Sequence, residues 1–296
     1  MADYDVIIAG GGLAGTIAAQ SISHYSNQGL KVLVIDRNPS NLPGMKSVAG
    51  WICGDAVSKE AVDFMTDRIK VSWGEPEIEH KVKGVMAFSP DRETSIPFDG
   101  AGYMLNRQVL PQRQNERTLA MGVDFDFEIN ITGLMYDGNQ VVGVQGIDYK
   151  TKTPYKKTAK VVIDATGMTS MLRNQISNST KMERKIDRKD IESTGRHIMY
   201  FDQGEEDPTE FDPDYCIIHL DQDIAPGGYG WVFPKGKNKV NIGLGVEKTL
   251  LEKRNQRLGK NDNVSMLINQ YLERNRAIKN PKLSEDPQDK NNATGN

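Results

Sequence analysis

Asp5-Val6-Ile7-Ile8-Ala9-Gly10-Gly11-Gly12-Leu13-Ala14-Gly15 is the stretch that decides the fold. Its apolar start, Asp5 to Ala9, reads as a buried parallel strand. Leu13 to Tyr25 follows as a helix rich in alanine and isoleucine, and Lys31-Val32-Leu33-Val34-Ile35-Asp36 reads as a second buried strand. The chain therefore opens on a βαβ unit. Gly10, Gly12 and Gly15 satisfy the pattern Gly-x-Gly-x-x-Gly. Gly10 permits the tight turn, Gly12 lets the backbone approach a pyrophosphate, and Gly15 lets the helix pack close to the sheet. The helix N-terminus offers amide donors and a partial positive charge to phosphates. Asp36, 21 residues after Gly15, stands where a carboxylate accepts from a ribose hydroxyl. A glycine triad alone is weak, but its place between strand and helix favours dinucleotide binding over an unliganded turn.

Bulk properties narrow the field. The 296 residues suffice for one large domain or two modest ones. A net charge of −3 with no dense basic patch argues against a nucleic-acid partner. Cys53 and Cys216 are too few and too far apart for a disulfide framework or a zinc site, and the four histidines show no ligand spacing, so no metal is expected. A reducing, cytoplasmic setting is the simple reading. The apolar run Val6 to Ala9 is of strand length, so no signal peptide is expected. No stretch approaches the ~18 apolar residues of a membrane span. A lipid substrate would be met from outside the bilayer.

Beyond the first unit, residues 81 to 98 alternate in strand fashion around Ser89-Pro90-Asp91. A helix is expected over Leu105 to Met121, with Pro111 in its first turn. Strands follow over Gly122 to Ile131, Gly133 to Tyr136 and Val141 to Tyr149, the last two joined by the Asp137-Gly138-Asn139 turn. Lys160 to Asp164 is another buried strand. Residues 177 to 214 are highly charged and read as including exposed loops. Cys216 to Leu220 and Lys239 to Val246 read as strands, and Asn263 to Arg276 as an amphipathic helix. After Lys279 polar residues and prolines leave little to bury, so 280–296 is expected to be a disordered tail.

The position of the fingerprint at the N-terminus, as in flavoproteins that resemble glutathione reductase, favours FAD over NAD. Asp164-Ala165-Thr166-Gly167, at the end of a later strand, resembles the second flavin-associated strand of that superfamily. Ser170 and Arg173 follow with a spacing similar to aromatic hydroxylases. Arg107, after Gly102-Tyr103-Met104-Leu105-Asn106, resembles the arginine those proteins place near the flavin; a solvated arginine at a helix start is the competing reading.

A more specific segment is Pro226-Gly227-Gly228-Tyr229-Gly230-Trp231-Val232-Phe233-Pro234, followed after eight residues by Gly243-Leu244-Gly245. It resembles the Tyr-x-Trp-x-Phe-Pro…Gly-x-Gly motif of the archaeal-type geranylgeranyl reductases, and Cys53-Gly54-Asp55-Ala56 resembles a second segment of that family. The resemblance covers residues 4 to 275. It implies an α/β architecture: a Rossmann-like FAD-binding domain of glutathione-reductase or aromatic-hydroxylase type, with an antiparallel β substrate domain. The expected division is 1–75 with 100–176 for the cofactor, and 76–99 with 177–279 for the substrate. The cofactor residues so implied are Gly10, Gly12, Ala14, Gly15, Asp36, Arg37, Cys53, Gly54, Arg107, Asp164 and Gly167. The substrate residues are Tyr229, Trp231, Phe233, Gly243 and Gly245. The implied reaction is hydride delivery from reduced FAD to an isolated alkene of an isoprenoid lipid, with NAD(P)H or ferredoxin as electron donor and a peripheral membrane contact. An FAD monooxygenase resembling aromatic hydroxylases and a non-catalytic flavin- or lipid-binding remnant are the alternatives.

Read from the residues alone, Tyr229, Trp231 and Phe233 point to one face of a strand. They either line an apolar slot or form ordinary core. Cys53 is either a small buried hydrophobe or, as the resemblance implies, a thiol near the flavin ring. Asp55 is expected to cap the helix beginning near Ala56. Family members carry a later Gly-Asp-Ala-Ala-type segment; nothing between Glu247 and Asn296 matches it, so this chain is expected to be a shortened form with weak turnover by itself.

Overall fold

The computed structural model describes residues 2–40, 53–168, 170–176 and 186–283. In chain order its elements begin with β1 (Tyr4–Ala9), α1 (Leu13–Tyr25), β2 (Val32–Ile35), β3 (Ala56–Ser58) and α2 (Lys59–Ile69). Next come β4 (Ile78–Phe88), β5 (Ser95–Leu105), α3 (Leu110–Ala120), β6 (Asp124–Asp126), β7 (Ile129–Asp137), β8 (Gln140–Asp148) and β9 (Pro154–Asp164). The series ends with β10 (Glu192–Gln203), β11 (Tyr215–His219), β12 (Gly230–Pro234), β13 (Lys239–Glu247), α4 (Lys248–Leu258), α5 (Val264–Arg274) and β14 (Ile278–Leu283). The chain divides into two compact units: Met1–Ser47 with Phe64–Ser72 and Gln108–Ile186, and Val48–Asp63 with Trp73–Arg107 and Asp187–Asn296.

In the first unit six strands run in the order β6-β2-β1-β9-β8-β7. β6, β2, β1 and β9 are parallel, and β9, β8 and β7 form an antiparallel meander. β9 is long enough to serve both halves: Ala159 to Asp164 pair with β1, and Pro154 to Thr158 pair with β8. A parallel strand covered on both faces needs an unbroken apolar run. β1 supplies it: Ile7 and Ala9 pack with Leu33 and Ile35 on one face, while Val6 and Ile8 pack with Ala19, Val32 and Val34 on the other. α3 lies along α1 through buried polar contacts, with Gln20 Nε2 donating to Thr118 Oγ1 at 2.9 Å and Ser23 Oγ to the Met121 carbonyl at 2.6 Å.

In the second unit eight strands run in the order β14-β10-β13-β12-β11-β4-β5-β3. Every pairing is antiparallel except β4 with β11. Strand alternation gives β12 two different faces. Val232 points into a core shared with Ile242, Leu244 and the buried face of α5, namely Val264, Leu267, Ile268 and Tyr271. Trp231 and Phe233 point the other way and pack with Val82, Met104 and Cys216.

The structure corrects two expectations and adds two elements that were not expected. The charged stretch 177–214 contains β10, a twelve-residue strand paired on both sides, with Ile198, Met199 and Phe201 buried; residues 177–185 lie outside the described residues. α4 was not expected, and it starts where the Glu247 carboxylate accepts from the amides of Thr249 and Leu250 at 2.6 and 2.8 Å. Residues 280–283 belong to β14 and not to a tail, because β10 offers its free edge to them; the rest of the expected tail lies outside the described residues. Asp55 does not cap α2. The Ser58 hydroxyl does so, accepting from the Ala61 amide at 3.2 Å.

Candidate functional site

The glycine loop of the first unit is built for close approach. Gly10 has φ +109°, and a Cβ there would lie 2.2 Å from the Ala165 carbonyl oxygen. At Gly15 a Cβ would lie 1.8 Å from the Gly10 carbonyl oxygen. These two positions are glycine for reasons internal to the fold. Gly12 differs: a Cβ there meets no heavy atom within 4 Å, so the space beside it is open. Gly12 also stands at the N-cap of α1, where no side chain caps the helix and no acidic residue occupies the first turn. Uncapped first-turn amides beside open space fit a pyrophosphate. Ala14 is exposed on that same turn.

The Asp36 carboxylate is mostly buried and closes the loop from the side of β2. Its Oδ2 accepts from the Gly11 amide at 2.7 Å, and its Oδ1 from the Asn38 amide at 2.8 Å. Each oxygen keeps acceptor capacity for a ribose hydroxyl. Gly11 is thus a residue that the sequence pattern treats as variable and the structure does not, since a Cβ there would approach Asp36 Oδ2 to 2.9 Å. Arg37 is exposed.

The ends of β1 and β9 are neighbours, with the Ala165 amide donating to the Ala9 carbonyl at 2.8 Å. Asp164 to Gly167 therefore turns directly beside the glycine loop. Asp164 organises that turn by accepting from the Thr166 hydroxyl and the Ser170 hydroxyl, each at 2.6 Å. Burial acts to raise the Asp164 carboxyl, but the Ser170 and Thr166 hydroxyls outweigh it and hold its pKa below the ordinary value. Gly167 has φ +87°, which favours glycine. The residues present in this unit fit the adenosine and pyrophosphate of a dinucleotide.

The second unit holds a buried polar cluster under its aromatic strand. Asp55, only 1% exposed, accepts from Lys235 Nζ at 3.1 Å and Asn241 Nδ2 at 3.0 Å, and its Oδ1 lies 3.4 Å from Arg107 Nε. Lys235 also donates to the Leu105 carbonyl at 2.8 Å and pairs with Glu79 at 3.0 Å. Lys239 donates to Glu79 at 2.6 Å. Arg107 Nη2 donates to Cys53 Sγ at 3.4 Å, so Arg107 is a member of this cluster and not a solvated helix-start arginine. Asn241 Oδ1 accepts from the Trp231 indole at 2.9 Å. Neither Lys235 nor Asn241 was singled out from sequence; the faint signals available were their places just after the Phe-Pro pair and just before Gly243.

Three aromatic rings form a ladder, Tyr229 to Trp231 to Phe233, each step 6.1 Å between centroids. Trp231 and Phe233 are buried, whereas Tyr229, just ahead of β12, is 41% exposed. Glycines make room for the inner rings. A Cβ on Gly243 would meet Trp231 Cζ2 at 2.4 Å, and one on Gly54 would meet Phe233 Cε2 at 2.6 Å. Gly245 backs the same strand, with Glu192 and Thr194 beside it. Burial raises the Tyr229 phenol, with further contributions from the charges of Glu192 and Cys53. The open end of the ladder and the thiol are therefore electrostatic neighbours. Cys216 is different in kind: fully buried, its thiol is pushed up to about 12 by desolvation.

Residues 5–215 match the family described as FAD dependent oxidoreductase, and residues 190–282 match the geranylgeranyl reductase catalytic domain. The digeranylgeranylglycerophospholipid reductase of Sulfolobus acidocaldarius is 36% identical over 82% of this chain and 50% of its own length. The protein of the same name from Methanosarcina acetivorans is 28% identical, over 82% of this chain and 54% of its own length. The chain thus spans about half the length of these curated relatives. Among solved structures, a geranylgeranyl bacteriochlorophyll reductase-like protein from Thermoplasma acidophilum superposes with a TM-score of 0.75 at 24% identity, covering 95% of this chain and 64% of that one. A flavin-dependent brominase superposes at 0.70 with 17% identity, covering 96% and 65%. These two likenesses concern the fold.

Proposed function

The chain belongs to the FAD-dependent oxidoreductase family, and within it to the geranylgeranyl reductases; on that premise we propose that it takes part in saturating the carbon–carbon double bonds of geranylgeranyl chains on archaeal-type lipids. The observation that carries the reading is the aromatic ladder Tyr229-Trp231-Phe233, lying within the matched catalytic region and open at Tyr229. When bound and reduced, FAD supplies the hydride. The first unit would hold its nucleotide part: first-turn amides of α1 receive the pyrophosphate, Asp36 accepts from a ribose hydroxyl, and the Asp164–Gly167 turn flanks them. Ala14 and Arg37 border that loop from exposed positions.

The second unit would serve the lipid. Tyr229 forms the open wall for an isoprenoid chain, with Trp231 and Phe233 behind it and Gly243 and Gly245 keeping the neighbouring strand thin. Cys53, Gly54 and Arg107 are proposed to take part in binding the flavin. An isolated alkene offers no polar handle, so exclusion of water and orientation of the chain are the protein's main contributions. One alkene carbon accepts the hydride and the other a proton, so each saturated bond gains two hydrogens. The reductant is of nicotinamide or ferredoxin type. No helix among the described residues is long and apolar enough to cross a membrane, and peripheral access to the lipid is part of the proposal.

The test is direct. The chain is loaded with FAD, reduced with dithionite and offered a digeranylgeranylglycerophospholipid, and the lipid is weighed by mass spectrometry. Gain of hydrogens in pairs is the expected result. A lipid of unchanged mass, with flavin bound and reoxidised only by air, would refute the proposal.

A further inference from the structure

Asn241 is fully buried on β13, and both ends of its amide are engaged. Oδ1 accepts from the Trp231 indole at 2.9 Å; Nδ2 donates to the Cys53 carbonyl at 2.8 Å and to Asp55 Oδ2 at 3.0 Å. An amide has one accepting and one donating end. Flipping it would set NH₂ against the indole N–H, and oxygen against a carbonyl and a carboxylate. The Trp231 indole, the Cys53 carbonyl and the Asp55 carboxylate together fix the orientation of Asn241, which ties the aromatic strand to the Cys53–Asp55 segment.

That segment needs fixing. Asp55 has φ +67°, a conformation that residues other than glycine rarely adopt. It persists where the surroundings over-determine it. Here Lys235, Asn241 and the Leu105 amide, which donates to the Asp55 carbonyl at 2.8 Å, do so. Gly54 lies close to the Phe233 ring, where a Cβ would come within 2.6 Å of Cε2. The outcome at the sulfur is two donors, Arg107 Nη2 and the Asp55 amide, each at 3.4 Å.

We propose that Asn241 is a positioning residue for the Cys53 thiol, coupling the aromatic strand to the electrostatic surroundings of that sulfur. The functional sense of that coupling rests on the reading of the strand as the lipid wall, while the positioning role stands on the hydrogen bonds themselves. With Nδ2 in place, the Asp55 charge is shared among Lys235, Asn241 and Arg107, and Arg107 stays turned toward Cys53. Without it, Asp55 draws more on Arg107, and the sulfur loses its charge-assisted donor. Among the described residues, Arg107 and the Asp55 amide touch the sulfur, Lys235 pairs with Asp55 and with Glu79, Lys239 pairs with Glu79, and Tyr229 feels the charges of Cys53 and Glu192.

The experiment is the pH profile of Cys53 alkylation by iodoacetamide, read by peptide mass, with buried Cys216 as an internal monitor of folding. Asn241→Leu should move the midpoint of that profile upward. Trp231→Phe removes one of the three contacts that orient the amide and should move it in the same direction by less. An unshifted midpoint in folded Asn241→Leu overturns the assignment, even if the plateau rate changes, because a change of rate alone is what loosened packing gives. If Asn241→Leu exposes Cys216, Trp231→Phe decides, a shift supporting the assignment and none overturning it. Lipid reduction by the parent protein separates the two ideas: a midpoint that shifts in the variants of a parent that reduces no lipid sustains the positioning role and removes the lipid-wall reading.

Discussion

Lys235→Met removes one buried charge while keeping most of the side-chain volume. The lysine side chain is 4% exposed, and its ammonium is shared by Asp55, Glu79 and the Leu105 carbonyl at 3.1, 3.0 and 2.8 Å. Removing one partner of a buried pair costs about 3–5 kcal/mol, because the other charge stays buried. Here the partners are partly compensated. Asp55 keeps Asn241 at 3.0 Å and Arg107 at 3.4 Å, and Glu79 keeps Lys239 at 2.6 Å and is itself 20% exposed. The Leu105 carbonyl loses a donor, worth about 1 kcal/mol. The expected loss is therefore at the low end, about 3 kcal/mol, or roughly 6–12 °C in melting temperature. Urea and thermal denaturation at neutral pH measure it. Asp55→Asn in the same background should recover part of the loss, since the orphaned charge then disappears. A single variant within about 1 kcal/mol of the parent, or strictly additive losses in the double variant, would show that the pair does not control this buried cluster.

Gly12→Val should leave the melting temperature nearly unchanged while abolishing FAD binding in a fluorescence titration, because its Cβ points into open space. Gly15→Ala should instead unfold the first unit, since its Cβ would collide with the Gly10 carbonyl. His219 is buried, with its Nε2 2.6 Å from the Thr209 carbonyl oxygen, and burial lowers its pKa to about 4 from 6.5. The unfolded chain then binds the extra proton first, so stability is full above pH ~6.5 and falls by up to about 3 kcal/mol as the pH drops toward 4. His219→Gln should flatten that slope in melts between pH 7 and 4.5, and an unchanged slope would remove His219 as its source. Trp231→Ala should cost ~3–5 kcal/mol through lost burial and the cavity left behind. Tyr229→Ala should cost below about 1 kcal/mol and weaken lipid-analogue binding; the opposite pattern in melting and binding assays would put Tyr229 in the core and Trp231 in the slot.

What the sequence determined by itself lies within short spans. The fingerprint is legible because strand, turn and helix impose their geometry within eleven residues, and each glycine has a local reason. The amphipathic α5 and the Asp137–Gly138 hairpin are legible for the same reason: their periodicity or turn chemistry is local. β10 was hidden because Glu192 to Gln203 places charged residues among its apolar ones, and only pairing with β13 and β14 makes it a strand. α4 was hidden because Arg254 is its buried residue, so almost no apolar stripe marks it. Asp55 shows the difference most sharply. Local propensity made it a helix cap, yet its partners Lys235 and Asn241 stand 180 and 186 residues away. A buried carboxylate takes whichever donors the tertiary fold brings to it, because leaving its charge unpaired costs more than any local cap returns. The same holds for the aromatic strand. Alternation correctly placed Trp231 and Phe233 on one face, but only the packing of β13 and Gly54 against them decided that these two rings are covered and Tyr229 is open.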